Sequence, residues 1–403
     1  MQNCFLPGGI LLPKSADFDK WAVIACDQFT SDSAYWKRVE AVSKGVPSTL
    51  QMIFPEIYLE ENAPDRINAI AETMERNLSE GVFTEYANSF VYVERTLLNG
   101  MIRPGIVGMV DLEQYHYDPE KKPAVGATEQ TILERVPPRI AVRRNAALEF
   151  PHVILFCNDF ENCIVRPVAE KKSRLRKLYE FDLMEGGGHI CGWLVDGEDA
   201  EELKKALFEY QSNAEGTAFL VADGNHSLVT AKCWYEELKD SNPDKDLSAH
   251  PARYALVELE NILDASIDFE PIHRVIFETD TKKFLSDIKE ISCQDGSAIE
   301  CVVGDECEIM HINVPHGELP VAVLQRYLDK WLAENAGRID YVHDRDAVEG
   351  FAKAENTIGL LLPVFDKTEL FAFGASGKIL PRKTFSLGHS REKRYYLEGR
   401  KIK

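Results

Sequence analysis

The stretch FLVADGNHSLVTAKCWYEEL, residues 219–238, joins an apolar run to a helical pattern through one polar turn. Phe219–Ala222 has the composition of a buried strand, and Leu228–Leu238 has helical spacing. Gly224 permits a turn conformation that is closed to most residues. The stretch therefore predicts a strand, a turn and a helix in succession.

The turn is a candidate site because the first N–H groups of a helix lack internal partners and attract anions. A structural explanation is also open, in which Asp223 or Asn225 caps the helix. Four polar side chains surround the single glycine, more than one cap requires, and they are Asp223, Asn225, His226 and Ser227.

Short apolar runs alternate with helical patterns along the rest of the chain, which predicts a mixed α/β (α+β) fold. The predicted strands include Trp21–Cys26, Phe90–Val93, Ile106–Val110, His152–Cys157, Ile190–Val195 and Tyr254–Leu259. The predicted helices are Asp65–Leu78, Asp199–Tyr210, His226–Leu238, Thr281–Ile291, Leu319–Ala333 and Asp346–Ala354. We place domain boundaries near residues 121 and 274, giving units 1–121, 122–274 and 275–403.

Composition narrows the class of protein. The chain has 403 residues, long enough for two or three packed units, and 46 Lys and Arg against 66 Asp and Glu give a formal net charge of −20. This charge would repel a nucleic-acid backbone, so we expect no nucleic-acid partner, but it does not exclude a small phosphate ligand held with a divalent cation.

The cysteines and the N-terminus indicate a cytoplasmic protein. The nine cysteines are odd in number, lie mostly in apolar runs and show no C-x-x-C spacing, which favours reduced thiols over zinc. The first residues lack a signal-peptide pattern, and no stretch is long enough to span a membrane. We expect no membrane association.

Two further stretches contain acidic residues that are candidates for a ligand site. Asp27 and Gln28 follow an apolar run, so they are candidates for a site at the end of a strand, although a plain strand-to-helix turn explains them equally well. Glu129 lies in a small polar cluster. The four arginines that follow it are Arg135, Arg139, Arg143 and Arg144, and they could either bind phosphate or form a solvated face. Pro137 and Pro138 are expected to interrupt a helix in this stretch.

Three glycines, Gly186–Gly188, precede an apolar run, so a hairpin turn fits them better than a phosphate loop. The flanking Asp182, Glu185 and His189 could enter a cation or substrate shell.

The C-terminal stretch is basic on an acidic protein, and its aromatic residues indicate that much of it packs. Arg382 and Lys383 could then balance a phosphate. His273 and Arg274 could also balance the charge of a phosphate, but the conservative interpretation is that they form a buried His-Arg pair.

The motifs ADGNHS, TEQT, PIHRV and LPRKTF occur in the order typical of the domain of unknown function 1015 family, and the chain resembles that family over most of its length. The family's turn often reads Asp-Gly-His-His-Arg, a signature similar to that of the ParB-like free serine kinases in the ParB/sulfiredoxin superfamily. The resemblance implies a ParB-like nucleotide-binding core within a larger protein. It also implies phosphoryl transfer from a nucleotide to a small hydroxyl compound, with an upstream Glu as base.

Asp223, Gly224 and His226 match the signature, and Glu129 matches the upstream acid. Asn225 and Ser227 depart from it, replacing a histidine and an arginine. The missing arginine puts phosphate compensation in doubt unless another cation substitutes for it, and the candidates are Arg135, Arg139, Arg382 and Lys383.

These observations give a leading hypothesis of a small-molecule kinase that uses Mg²⁺ and ATP or ADP. Asp223 would orient the metal, Asn225 and Ser227 would hold phosphate oxygens, and Glu129 would accept the proton of the substrate hydroxyl. Three alternatives remain open: a non-catalytic nucleotide- or metabolite-binding regulator, a phosphate-ester hydrolase with His226 as acid or base, and a capped structural turn.

Overall fold

A computed structural model describes residues 3–30, 32–58, 63–129, 136–381 and 383–403. The chain forms two compact units, each interrupted in sequence. The first comprises Met1–Ile267, Thr368–Ile379 and Ser390–Lys403, and the second comprises Asp268–Lys367 and Leu380–His389.

Helices occur throughout both units. In chain order they are α1 Phe18–Trp21, α2 Ser33–Val42, α3 Ala63–Ser79, α4 Val136–Asn145, α5 Val165–Lys171, α6 Gly197–Asn213, α7 Asn225–Asp240, α8 Thr281–Asp287, α9 Pro320–Glu334, α10 Arg345–Ala352 and α11 Leu370–Ala375.

Strands alternate with these helices, which confirms the predicted mixed α/β class. They are β1 Phe5–Leu6, β2 Gly8–Pro13, β3 Val23–Ile24, β4 Phe83–Thr96, β5 Ile102–Asp111, β6 Tyr115–His116, β7 Val125–Gly126, β8 Leu148–Glu149, β9 Ile154–Cys157, β10 Arg176–Asp182, β11 His189–Val195, β12 Phe219–Asp223, β13 Tyr254–Asn261, β14 Phe269–Pro271, β15 His273–Phe277, β16 Ser292–Val303, β17 Glu306–Ile312, β18 Arg338–Val342, β19 Ile358–Leu361, β20 Phe385–Leu387, β21 Tyr395–Tyr396 and β22 Arg400–Lys401.

The first unit is built on one large mixed sheet in the order β10-β11-β4-β5-β13-β9-β12-β7-β6, with β1 added beside β5 and β2 beside β4. Parallel pairing joins β13 to β9, β12 to β7 and β6 to β7. The strand β12 is apolar from Phe219 to Ala222 because it is buried between β9 and β7. Two small ladders, β3 with β21 and β8 with β22, fix the C-terminal residues to this unit.

The second unit is an antiparallel sheet in the order β17-β16-β19-β15-β18, with β14 and β20 as a separate pair. Its core is formed by aliphatic and aromatic side chains of the sheet and of helices α8 and α9, including Ile276, Phe284, Leu324 and Leu360. Arg274 is fully buried and donates to the carbonyl of Lys383, and His273 is buried beside it, as the conservative interpretation expected.

The predicted boundary near residue 274 lies close to the junction of the two units at Asp268. The predicted boundary near residue 121 falls inside the first unit, because β6 and β7 pair across it. The C-terminal stretch is divided: Leu380–His389 joins the second unit, and Ser390–Lys403 returns to the first.

Pro137 and Pro138 lie inside the described helix α4, Val136–Asn145, so the expected interruption of a helix by these prolines is wrong for the part of the chain that the structure describes. Elsewhere the glycine-rich stretch is the hairpin turn between β10 and β11, as predicted. All nine cysteines lie within the described ranges and are free thiols. Among the described helices, none combines the length and apolar character needed to cross a membrane.

Candidate functional site

The turn between β12 and α7 depends on a glycine. Gly224 has a φ of +80°, and a Cβ on it would lie 3.1 Å from the Cα of Val153. Gly224 is also the N-cap residue of α7, so neither Asp223 nor Asn225 serves as the side-chain cap. The Asp223 carboxylate accepts a hydrogen bond from the Gly224 N–H at 3.0 Å and has an oxygen left for other partners.

Parallel pairing brings Glu129 to the same edge of the sheet as Asp223. Asp223 ends β12, and Glu129 lies three residues after the neighbouring parallel strand β7. Asn225 fastens the two segments: its side-chain oxygen accepts from the Thr128 N–H and its amide donates to the Thr128 hydroxyl, both at 3.3 Å. The amide of Asn225 is thus engaged in holding Glu129 beside the turn.

Antiparallel pairing of β3 with β21 brings two more charged residues to this point. Asp27 follows β3 and Lys393 precedes β21, so the two lie at the same end of the ladder, where Ala25 donates to the Arg394 carbonyl at 3.0 Å. The Lys393 ammonium forms an ion pair with Asp223 at 2.9 Å. The structure thereby joins strand ends that lie far apart in sequence.

Three carboxyl groups act on the ammonium of Lys393, whose side chain is only 11% exposed. Burial by itself would lower the pKa of Lys393, but the charges of Asp223, Asp27 and Glu129 outweigh burial and raise the pKa above its ordinary value. The ammonium therefore stays charged at neutral pH, and the three carboxylates lie around it.

Buried arginines hold the backbone around Lys393. Arg95 donates to the carbonyls of Arg391, Glu392 and Lys393 at 2.7–2.8 Å. The next residue, Arg394, forms ion pairs at 2.7 Å with two carboxylates, Glu258 and Glu398. Because these donors fix the main chain on both sides, the position of the Lys393 side chain is set by the fold.

An apolar cavity of about 170 Å³ adjoins the turn and is lined mainly by residues of α4, of α7 and of the segments 52–56 and 148–153. Its polar lining includes Ser227, whose hydroxyl lies 3.4 Å from Nε2 of His152, while Nδ1 of His152 lies 2.8 Å from the Tyr396 hydroxyl. The N–H of Cys26 donates to the same hydroxyl at 3.1 Å. Cys26 immediately precedes Asp27, so the cavity borders the carboxyl cluster.

The remaining candidates are distributed unevenly. Arg139 lines the cavity and forms an ion pair with Glu56, and His226 is half-buried in the first turn of α7. Lys383 belongs to the second unit. Arg135 and Arg382 lie outside the described residues.

Sequence reasoning missed Lys393. The basic C-terminal stretch drew attention to Arg382 and Lys383, eleven and ten positions before Lys393. The aromatic pair Tyr395–Tyr396 was the signal that the segment around Lys393 packs. Only the pairing of β21 with β3 shows which of the basic residues reaches Asp223.

A family model described as a protein of unknown function, DUF1015, matches residues 9–371 of the chain. The chain belongs to this family. The resemblance seen in the motifs is therefore confirmed. Comparison with curated proteins gave no match.

Several solved structures have a partly similar fold at low sequence identity. The alignment with a free serine kinase in complex with AMP covers 73% of this chain and 91% of the kinase chain, at 12% identity and a TM-score of 0.39. SbnI with a C-terminal truncation, from Staphylococcus aureus, covers 70% with 82% of its length, at 8% identity and a TM-score of 0.38. A conserved hypothetical protein from Pyrococcus furiosus covers 72% with 90%, at 10% identity and a TM-score of 0.34. At these TM-scores the likeness to this chain is partial.

Proposed function

We propose that this protein is a nucleotide- and Mg²⁺-dependent phosphotransferase that phosphorylates a hydroxyl group of a small metabolite. The observation that carries the proposal is the convergence of Asp27, Glu129 and Asp223 on the buried ammonium of Lys393 at the start of α7. Phosphoryl transfer depends chiefly on positioning and charge neutralisation, and this arrangement offers acids, a cation and a helix N-terminus together.

Lys393 and the start of α7 are suited to bind phosphate oxygens. The ammonium provides a full positive charge, and the first N–H groups of the sixteen-residue helix add the positive end of its dipole. Lys393 would thus supply the cation that the signature places where Ser227 stands. Arg139, at the rim of the cavity, is a second candidate for the same role.

The donor chemistry of the cluster fits a magnesium ion. Mg²⁺ prefers carboxylate oxygens, and Asp27 and Asp223 would hold it. The Asp223 carboxylate already accepts from Gly224 and Lys393, but two carboxylate oxygens offer about four acceptor sites, so capacity remains. When bound, the metal would neutralise phosphate charge and orient the donor phosphates.

Glu129 is assigned as the general base. The hydroxyl oxygen of the acceptor would form the new bond to the terminal phosphorus of the nucleotide while the bond from that phosphorus to its bridging oxygen breaks. The hydroxyl proton passes to the Glu129 carboxylate, and the shortened nucleotide leaves with the electron pair of the broken bond.

The apolar cavity would take the non-polar part of one ligand. Its lining includes Ser227 and Cys26 and is mainly apolar, with a few polar groups that could fix orientation. Ser227 is the third residue of α7 and also lines the cavity, so its hydroxyl could contact either the phosphates or the acceptor.

The test is product formation measured by ³¹P NMR, with ATP or ADP, Mg²⁺ and pools of hydroxyl-bearing metabolites. We expect a phosphorylated metabolite from the wild-type protein. The variant Glu129→Gln should lower kcat by about 10²–10⁴-fold without weakening nucleotide binding, because it removes the base and keeps the shape. Glu113→Gln, at a surface glutamate paired with Lys239, is the matched control and should match wild type.

Two results would replace the proposal. Free phosphate without a phosphorylated metabolite would indicate the hydrolase, and Mg²⁺-dependent nucleotide binding without turnover in any pool would indicate the regulatory binding protein. An unchanged kcat in Glu129→Gln would remove Glu129 from its assigned role.

A further inference from the structure

The hairpin of β10 and β11, at the edge of the large sheet, carries four potential metal ligands on one face. Glu180 lies opposite Cys191 and Asp182 lies opposite His189 in the antiparallel register. Because side chains two residues apart on a strand point to the same side, all four share a face. None of them belongs to the cluster at Lys393.

The donor atoms have the spacing of a tetrahedral site. Nε2 of His189 lies 3.6 Å from Sγ of Cys191 and 3.7 Å from Oε1 of Glu180. One donor atom from each of these residues lies within 4.8 Å of the other two. Ligands bound to zinc at about 2.0–2.3 Å in tetrahedral geometry lie roughly 3.3–3.7 Å from one another. Two of the three spacings therefore already fit this geometry.

Asp182 fixes the orientation of the histidine. Its carboxylate lies 2.7 Å from Nδ1 of His189, so this nitrogen carries the proton and donates it to Asp182. The lone pair of Nε2 then points towards Cys191 and Glu180. A carboxylate that accepts from the second nitrogen of a ligating histidine is the usual outer partner in zinc sites.

The neighbouring charges are compatible with a metal. Lys177 donates to Oε2 of Glu180 at 2.5 Å. The other oxygen, Oε1, faces Nε2 of His189 and could bind the metal. On the other side of Cys191, Glu94 is already paired with Lys172.

We propose that Glu180, His189 and Cys191 form a zinc site, with Asp182 as a positioning residue and a fourth coordination position open to solvent. A thiolate, an imidazole and a carboxylate together favour Zn²⁺ over Mg²⁺ or Ca²⁺, which prefer oxygen ligands alone. The site would link the edge strand β10 to β11. It does not depend on the proposed phosphotransferase activity.

The test is Co²⁺ titration of the full chain after chelator treatment, followed by displacement with Zn²⁺. We expect one Co²⁺ per chain with a thiolate-to-cobalt absorption band, lost on addition of stoichiometric Zn²⁺. Cys191→Ser should abolish the band, and Asp182→Asn should weaken binding by about 10–100-fold while the band persists.

Cys307→Ser is the matched control, because Cys307 also contacts a glutamate, Glu300, across a hairpin at 3.4 Å. This variant should bind Co²⁺ like wild type. The absence of a thiolate band in wild type, its survival in folded Cys191→Ser, or its loss in Cys307→Ser would each overturn the proposal.

Discussion

Lys393 and Asn225 bear on the two positions at which the turn departs from the sequence that the resemblance implies. Ser227 stands where the resemblance implied an arginine, and the structure places the ammonium of Lys393 beside Asp223. Asn225 replaces a histidine, and its amide bonds to Thr128 link the turn to the segment that carries Glu129. Under the proposed function, Lys393 would supply the cation that the arginine would otherwise provide, and Asn225 would position the segment that carries Glu129.

Asn225→Ala should destabilise the protein by about 1–3 kcal/mol, because it leaves the buried N–H of Thr128 without its acceptor. Urea unfolding measures this change. Asn242→Ala is the control, since Asn242 is only half-buried near the end of the same helix and donates to the Leu238 carbonyl. Equal losses in the two variants would show that the Thr128 contact has no special weight.

The start of α7 is positioned by a glycine in the left-handed conformation, and the segment before β21 is positioned by buried arginine side chains. Helix α7 can begin at Asn225 because Gly224 adopts a left-handed conformation against Val153. The segment before β21 is fixed by the buried guanidinium groups of Arg95 and Arg394. Both elements are rigidly held, which is the condition for a site that works by positioning.

Gly224→Ala should cost more stability than Gly100→Ala. Both glycines have φ near +80°, so each alanine would pay about 1–2 kcal/mol for the left-handed backbone. A Cβ at Gly100 meets no described atom within 4 Å, whereas one at Gly224 presses on the Val153 backbone, adding roughly 1–3 kcal/mol. Chemical denaturation of the two variants gives the difference, and equal values would contradict the packing argument.

Much of the fold followed from local pattern, and the assembly of the site did not. The strand, turn and helix at residues 219–238 could be predicted because periodicity and glycine act over a few residues. The grouping of Asp27, Glu129 and Asp223 depends on which strands pair, and periodicity does not encode pairing. Lys393 was missed for the same reason, because its segment returns to the first unit after Leu380–His389 has joined the second.

The second unit should lose stability in acid through His273. Burial, followed by the nearby charge of Arg274, lowers the pKa of His273 from 6.5 to about 4, with Arg345, His343 and Glu300 also close. Between these values the unfolded chain binds a proton that the folded chain does not, so stability falls as the pH drops from about 6.5 to about 4.

Hydrogen exchange at Leu362, whose N–H donates to Nδ1 of His273 at 3.1 Å, reports this change. After correction for intrinsic rates, its protection should decrease across that pH range in wild type. In His273→Gln the decrease should be smaller, and an unchanged decrease would assign the acid sensitivity to other groups.

The most direct test of the site is the thermal stabilisation produced by ATP, ADP and inorganic phosphate, each with and without Mg²⁺, in wild type and Lys393→Met. The control is Lys232→Met, because Lys232 is also 11% exposed, is ion-paired with Glu236 and lies on α7. We predict a Mg²⁺-dependent nucleotide shift equivalent to about 2.7 kcal/mol at 100 times the dissociation constant, retained in Lys232→Met and lost in folded Lys393→Met. No shift with any nucleotide in wild type, or an equal shift in all three proteins, would contradict the assignment of this cluster as the phosphate site.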